Sequence, residues 1–144
     1  MEEKNDSLPV IFFVSLAALV LPLVLIPVEK FVPYPCVIEE LAKAALILII
    51  LRLGNFNIRL EITLLATLLF SLSENIFYLP NFMIDGMLYS FWQRLILTTI
   101  LHVSTGLIIL LPCQKNRRLI FPATLAAMLV HFLYNYLILL FLGK

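Results

Sequence analysis

The sequence predicts an all-α fold, a polytopic transmembrane helical bundle of about five spans. Three observations carry that expectation. Mean hydropathy is +1.06. Of the 144 residues, 62% are hydrophobic and only 13% charged, about half the charge of an ordinary soluble domain. Five apolar runs, each close to the roughly 20 residues that cross a bilayer's hydrocarbon, are divided by short polar or proline-bearing turns. Glycine occurs four times, and neither a flexible linker nor a repeat interrupts the pattern. A single integral membrane domain over residues 1–144 is expected, with the lipid bilayer as its environment. A net charge of +1 provides no basic footprint for nucleic acid.

The first span is expected over Leu8–Val28, bent or thinned near Pro22 and Pro27. Ahead of it, Met1–Asp6 carries three acids against one lysine. The apolar run that follows is too long for a signal-peptide core, so this span reads as retained. The second is expected over Cys36–Leu53, entered through the Pro33-Tyr34-Pro35 turn. The third covers Ile58–Leu79 with Pro80 as its stop, the fourth Met87–Leu111 with Pro112 as its stop, and the fifth Leu119–Leu142. A proline at or just past a segment end is a helix-stop signal.

Lysine and arginine set the orientation. Lys4, Arg52, Arg59, Lys115, Arg117 and Arg118 fall on one side. The other has Lys30 and Lys144, with Lys43 and Arg94 just inside the spans. The basic side is expected to be cytoplasmic, giving N-in and C-out topology in the cell membrane of a prokaryote. Cys36 and Cys113 then lie near opposite faces, cannot bridge within one folded chain, and read as small apolar residues.

Five ionisable side chains sit in or at the ends of apolar segments: Glu39, Glu40, Glu74, His102 and His131. Such residues are costly in hydrocarbon and usually face a functional cavity. At 1.5 Å per residue, Glu74 lies roughly 8 Å below the outer surface, Asn135 roughly 10 Å, His131 roughly 17 Å and His102 roughly 20 Å. Glu39 and Glu40 lie about one turn down. All share the outer half, as if around one water-filled cavity opening outward. Glu39 with Lys43, Glu74 with Tyr78, and His131 with Asn135 are one-turn neighbours. Gly106, one turn beyond His102, invites close approach by another helix.

Carboxylates and imidazoles so placed admit peptide hydrolysis by carboxylate-activated water, Zn²⁺-assisted hydrolysis, or a proton relay in a transporter. Metal ligands would come from several helices, with Glu40, Glu74, His102 and His131 as the candidate set. Adjacent glutamates point about 100° apart on a helix, which disfavours both binding one ion and tips the expectation toward a glutamate mechanism without metal. Structural readings stand beside these. First-turn carboxylates are stabilised by the helix dipole, Arg94 can snorkel or pair with an acid, and a membrane histidine is often an interhelical hydrogen bond. A transporter would want polar residues reaching both faces, and the inner half lacks them. A non-catalytic scaffold of a membrane protease complex is the other alternative.

The motifs read, in order, Glu39-Glu40-Leu41-Ala42-Lys43, Ser73-Glu74-Asn75-Ile76-Phe77-Tyr78, Arg94 followed by His102-Val103-Ser104-Thr105-Gly106, and His131-Phe132-Leu133-Tyr134-Asn135. Together they resemble the PrsW family of intramembrane proteases, within the wider clan of the CAAX-processing prenyl endopeptidases. The resemblance implies membrane-embedded proteolysis of a membrane-tethered protein, an anti-sigma factor cut near its outer face. By position it implies that Glu39 and Glu40 activate water and that Glu74 and His102 complete the site. His131 and Asn135 would polarise the scissile carbonyl or bind metal, and Lys43, Asn75, Tyr78 and Arg94 would support them. Zinc is the metal to expect if there is one. The oligomeric state stays open, a homo-oligomer included.

The topology is testable in intact cells. A cysteine introduced by Asp85→Cys is expected to react with a membrane-impermeant reagent, and one introduced by Lys115→Cys is not. Labelling at position 115 would reject the orientation.

Overall fold

The computed structural model describes residues 2–142, so Lys144 lies outside the described residues. Five α-helices follow in order: α1 (Glu2–Glu29), α2 (Pro35–Ile50), α3 (Phe56–Ile84), α4 (Leu88–Lys115) and α5 (Ile120–Leu142), with a 3-10 turn at Arg117–Leu119 before the last. No strand occurs among the described residues. Four of these helices are long and apolar enough to cross a membrane. The exception is α2, whose 16 residues rise only about 24 Å at 1.5 Å per residue.

That short helix is the hub. α1, α3, α4 and α5 form an open row in which each packs on the next, and α2 touches all four. No contact joins α1 to α4 or α5, or α3 to α5, among the described residues. Neighbours also finish the turn that follows α2. Leu51 N, Arg52 N and Leu53 N donate to Ile47 O, Ile49 O and Ile50 O, Arg117 Nη2 donates to Leu51 O at 2.7 Å, and Arg59 Nε donates to Leu53 O. Leu41, Ala45, Leu48 and Ile49 of α2 face outward between α1 and α5.

The expected proline stops are corrected. α3 runs through Pro80 to Ile84, and α4 runs through Pro112 to Lys115. A proline costs its own N–H bond to the preceding turn, but a membrane helix tolerates it where the freed groups are satisfied nearby. What ends α3 is Gly86, at φ +69°. There Met87 N donates to Phe82 O at 2.9 Å and Gly86 N to Met83 O at 3.3 Å, the paired bonds of a Schellman stop. α4 ends at Asn116, whose extended backbone leaves the helix and whose side chain accepts from Arg118 N at 3.0 Å. At the other end of α3, Asn55 caps the helix by accepting from Asn57 N at 2.9 Å.

One end of the bundle is apolar. Val14, Ala18, Ile47, Ile50, Ile62, Ala66, Ile109, Leu110, Ala123 and Ala127 are buried against one another there, and Glu39, Glu40, Glu74, His102 and His131 lie toward the other end. Cys113 belongs to the apolar cluster, Cys36 lies near the start of α2, and both are free and buried. At Gly106, α4 lets α3 approach closely, as its position suggested. A Cβ on it would overlap the Thr67 Cγ2 methyl. Thr67 cannot easily rotate away, because its hydroxyl donates to Thr63 O at 2.9 Å.

Gly106→Ala is therefore expected to destabilise the bundle by about 1–3 kcal/mol, the usual cost of overpacking. Thr67→Ser, which removes the obstructing methyl and keeps the hydroxyl, should restore most of that loss in the double variant. Reversible unfolding in mixed detergent micelles measures both, and additive effects would show that the close approach is not the cause.

Candidate active site

The site begins on α2 with two adjacent glutamates that face different neighbours. Glu40 is fully buried, at 0% exposure. Its Oε1 forms an ion pair with Lys43 Nζ one turn on, and accepts from His131 Nδ1 of α5 at 2.7 Å. Lys43 Nζ also donates to Thr105 Oγ1 of α4 at 2.9 Å and lies 5.6 Å from the centre of the Phe70 ring on α3. One carboxylate thus ties together three helices. The expected pairing of Lys43 with Glu39 is corrected to Glu40. The lysine is within one turn of both, but only the Glu40 side adds Thr105 and His131 as further partners.

Glu39 is buried too, but free. Its Oε2 is 3.7 Å from His131 Nε2, too far for a hydrogen bond, and has no partner. Because a carboxylate accepts, His131 gives Glu40 its Nδ1 hydrogen. The ring's other nitrogen, Nε2, is the one that faces Glu39.

Glu74 of α3 joins from the side. Its Oε2 accepts from His102 Nε2 at 2.7 Å, and its Oε1 accepts from Arg94 Nη2 at 3.0 Å. His102 is packed against Phe70 and His131, with ring centres 5.3 and 5.4 Å away. Its Nδ1 is buried without a partner. Asn75, next to Glu74 in sequence, points elsewhere. Its Nδ2 donates to Thr98 Oγ1 at 2.7 Å and Ser71 O at 2.8 Å, fastening α3 to α4 rather than serving the acids. Tyr78 lies under the Arg94 guanidinium, 3.9 Å from ring centre to Cζ.

Glu39, Glu40, Glu74, His102 and His131 thus meet in one cluster, with Lys43 and Arg94 at its two flanks. Asn135 does not join it: the residue is exposed, and no hydrogen bond joins its side chain to the cluster among the described residues. The outward-opening, water-filled cavity is also corrected. The acids and imidazoles bond directly to one another, leaving Glu40 and His102 at 0% and 1% exposure. Glu74 and Arg94, with 14% and 29% of their side chains exposed, reach the surface most, and Glu39 follows at 9%.

Two participants escape a reading by motif. Thr105 completes the coordination of Lys43, and its signal was only a hydroxyl one turn from His102. Glu29 ends α1 within electrostatic reach of Glu39 and Glu74, but its place beside Lys30 resembles an ordinary loop acid.

A metal ion has a donor set here. Glu39, Glu74 and His102 each offer a ligand atom, and these atoms lie within 4.8 Å of one another. Glu39 therefore takes the place expected for Glu40, which is engaged by Lys43 and His131. Carboxylate oxygen and imidazole nitrogen are ordinary zinc ligands, and three protein donors with an open fourth position are the catalytic pattern. The unpartnered Glu39 Oε2 and His102 Nδ1 are buried polar atoms of the kind that otherwise demand an explanation.

The sequence pattern of one known family, described as PrsW family intramembrane metalloprotease, matches residues 10–143. No curated protein and no solved structure matches significantly. The match takes in nearly the whole chain and all four helices that bring the ionisable residues together, and the chain belongs to the PrsW family of intramembrane metalloproteases.

Proposed function

We propose that the chain is an endopeptidase that cuts a membrane-tethered, anti-sigma-factor-like protein near the outer membrane face, with Glu39, Glu74 and His102 as its reactive centre. The observation that carries this reading is the convergence of those three donors from three helices, at the end of the bundle away from the apolar core. Family membership supplies the reaction class.

In this reading, Glu39, Glu74 and His102 hold a divalent ion such as Zn²⁺. Bound there, it would supply a Lewis acid and lower the pKa of water in its open position. The chain's own residues do the rest. Glu39 would serve the ion through one carboxylate oxygen and leave the other to take a proton from an attacking water. His131 faces it through Nε2 and can hold or pass that proton on. Glu40 orients His131 through Nδ1, as carboxylates behind ligand or catalytic histidines do. Lys43 offsets the charge of Glu40, which would otherwise be prohibitive in so buried a place. The apolar surfaces around the cluster exclude bulk water and strengthen each of these interactions. With the N-terminus inside, the cluster lies in the outer half of the membrane, where an extracytoplasmic segment of the substrate would be reached.

The test is purified enzyme in detergent with a single-span substrate. Activity is expected to vanish with a strong chelator and return with Zn²⁺, with about one ion bound per chain. Glu39→Gln, which removes a metal ligand and the proton acceptor together, should weaken zinc binding and lose at least about 10²–10⁴-fold in kcat. Glu40→Gln should lose about 10–100-fold while keeping its metal, the usual cost of removing an orienting partner. Full activity in chelator would reject the metal, and full activity of Glu39→Gln would reject the site.

A further inference from the structure

The Arg94–Glu74 pair is not an ordinary ion pair. An arginine facing a carboxylate commonly makes two parallel bonds, one to each oxygen. Here only one arm is used. Arg94 Nη2 donates to Oε1 at 3.0 Å, while Arg94 Nε is buried and unpartnered. The other oxygen, Oε2, is already taken by His102 Nε2 at 2.7 Å. The guanidinium is kept in this one-armed position from below. Tyr78 lies one turn beyond Glu74 on the same face of α3, and its ring stacks 3.9 Å from Arg94 Cζ. A planar cation over an aromatic face has a defined orientation as well as an attraction.

We propose that Arg94, backed by Tyr78, is a positioning residue that occupies Oε1 of Glu74 and so leaves only Oε2, through the lone pair not used by His102, to face the site. The inference rests on the assignment of Glu74 and His102 to the reactive centre. Arg94 touches neither His102 nor Glu39 among the recorded hydrogen bonds and acts through Glu74 alone. Without it, Glu74 can rotate and offer both oxygens to the same ion. A divalent ion would then still be held by Glu74, Glu39 and His102, with less room left beside it for water. Loss of Arg94 therefore separates metal binding from turnover, which a purely structural ion pair would not do.

The experiment compares Arg94→Gln, Arg94→Lys, Tyr78→Leu and Glu74→Gln with the unaltered chain in detergent. Zinc affinity, kcat and KM are measured, together with the ¹⁵N resonances of the metal-free protein. With only two histidines in the chain, those spectra are readily assigned. Arg94→Gln is expected to bind zinc at least as tightly as the unaltered chain, to lose about 10–100-fold in kcat, and to shift the His102 Nε2 resonance. Arg94→Lys and Tyr78→Leu should fall between, each retaining part of the clamp, and they decide the matter if Arg94→Gln does not fold. Glu74→Gln should lose zinc. The proposal is overturned if Arg94→Gln keeps kcat within about twofold, loses zinc as Glu74→Gln does, or leaves His102 unshifted. If the unaltered chain neither binds zinc nor cleaves, the proposed function fails instead. The His102 resonance still tests the clamp in that case, because it is read without metal.

Discussion

Everything at the polar end of this protein depends on Glu40 being neutralised. A fully buried carboxylate in the middle of an apolar bundle is tolerable only with a cation and hydrogen bonds around it. Lys43, itself 2% exposed, supplies the charge, and His131 supplies a second donor. Removing one member of such a pair while leaving the other buried costs about 3–5 kcal/mol, comparable to the whole stability of many small domains. The pair also binds α2 to α4 through Thr105 and to α5 through His131. The fold and the site therefore share their central contact. That contact leaves Glu39, the next residue along, as the carboxylate with an oxygen to spare.

A division of labour follows from helical geometry. Two consecutive residues on a helix cannot face the same neighbour, being about 100° apart. In α2 this turns a glutamate pair into one member held by Lys43 and His131 and one whose Oε2 has no partner. The same separation recurs on α3, where Glu74 turns toward His102 and Arg94 while Asn75 turns toward Thr98 and Ser71.

The helical membrane fold was legible because its signal is collective. Long apolar runs outweigh any single residue, and the ionisable exceptions stood out against them. Helix ends were less legible. Pro80 and Pro112 are conspicuous letters, but the backbone stops where Gly86 adopts positive φ and where Asn116 turns extended. Those events depend on local hydrogen bonding rather than on composition. The gathering of Glu39, Glu40, Glu74, His102 and His131 was legible from depth and helical spacing. Which glutamate Lys43 would choose was not, since the lysine lies within one turn of both and the deciding partners, Thr105 and His131, come from distant helices. Asn135 illustrates the same limit. One-turn spacing from His131 gives an approximate face, and the small remaining rotation is enough to leave it outside the cluster.

The brevity of α2 has a consequence for the surrounding lipid. Leu41, Ala45, Leu48 and Ile49 form an outward strip between α1 and α5 on a helix of only 16 residues. Acyl chains beside that strip meet about 24 Å of helix, where an unperturbed hydrocarbon layer is about 30 Å thick. Hydrophobic mismatch of that size is relieved by local thinning of the bilayer or by flanking polar groups reaching inward. Headgroups and their water are thereby drawn closer to the first turns of α2, which carry Glu39 and Glu40. A protein whose Glu40 and His102 are buried at 0% and 1% exposure can in this way let the membrane itself shorten the distance that a water molecule must travel.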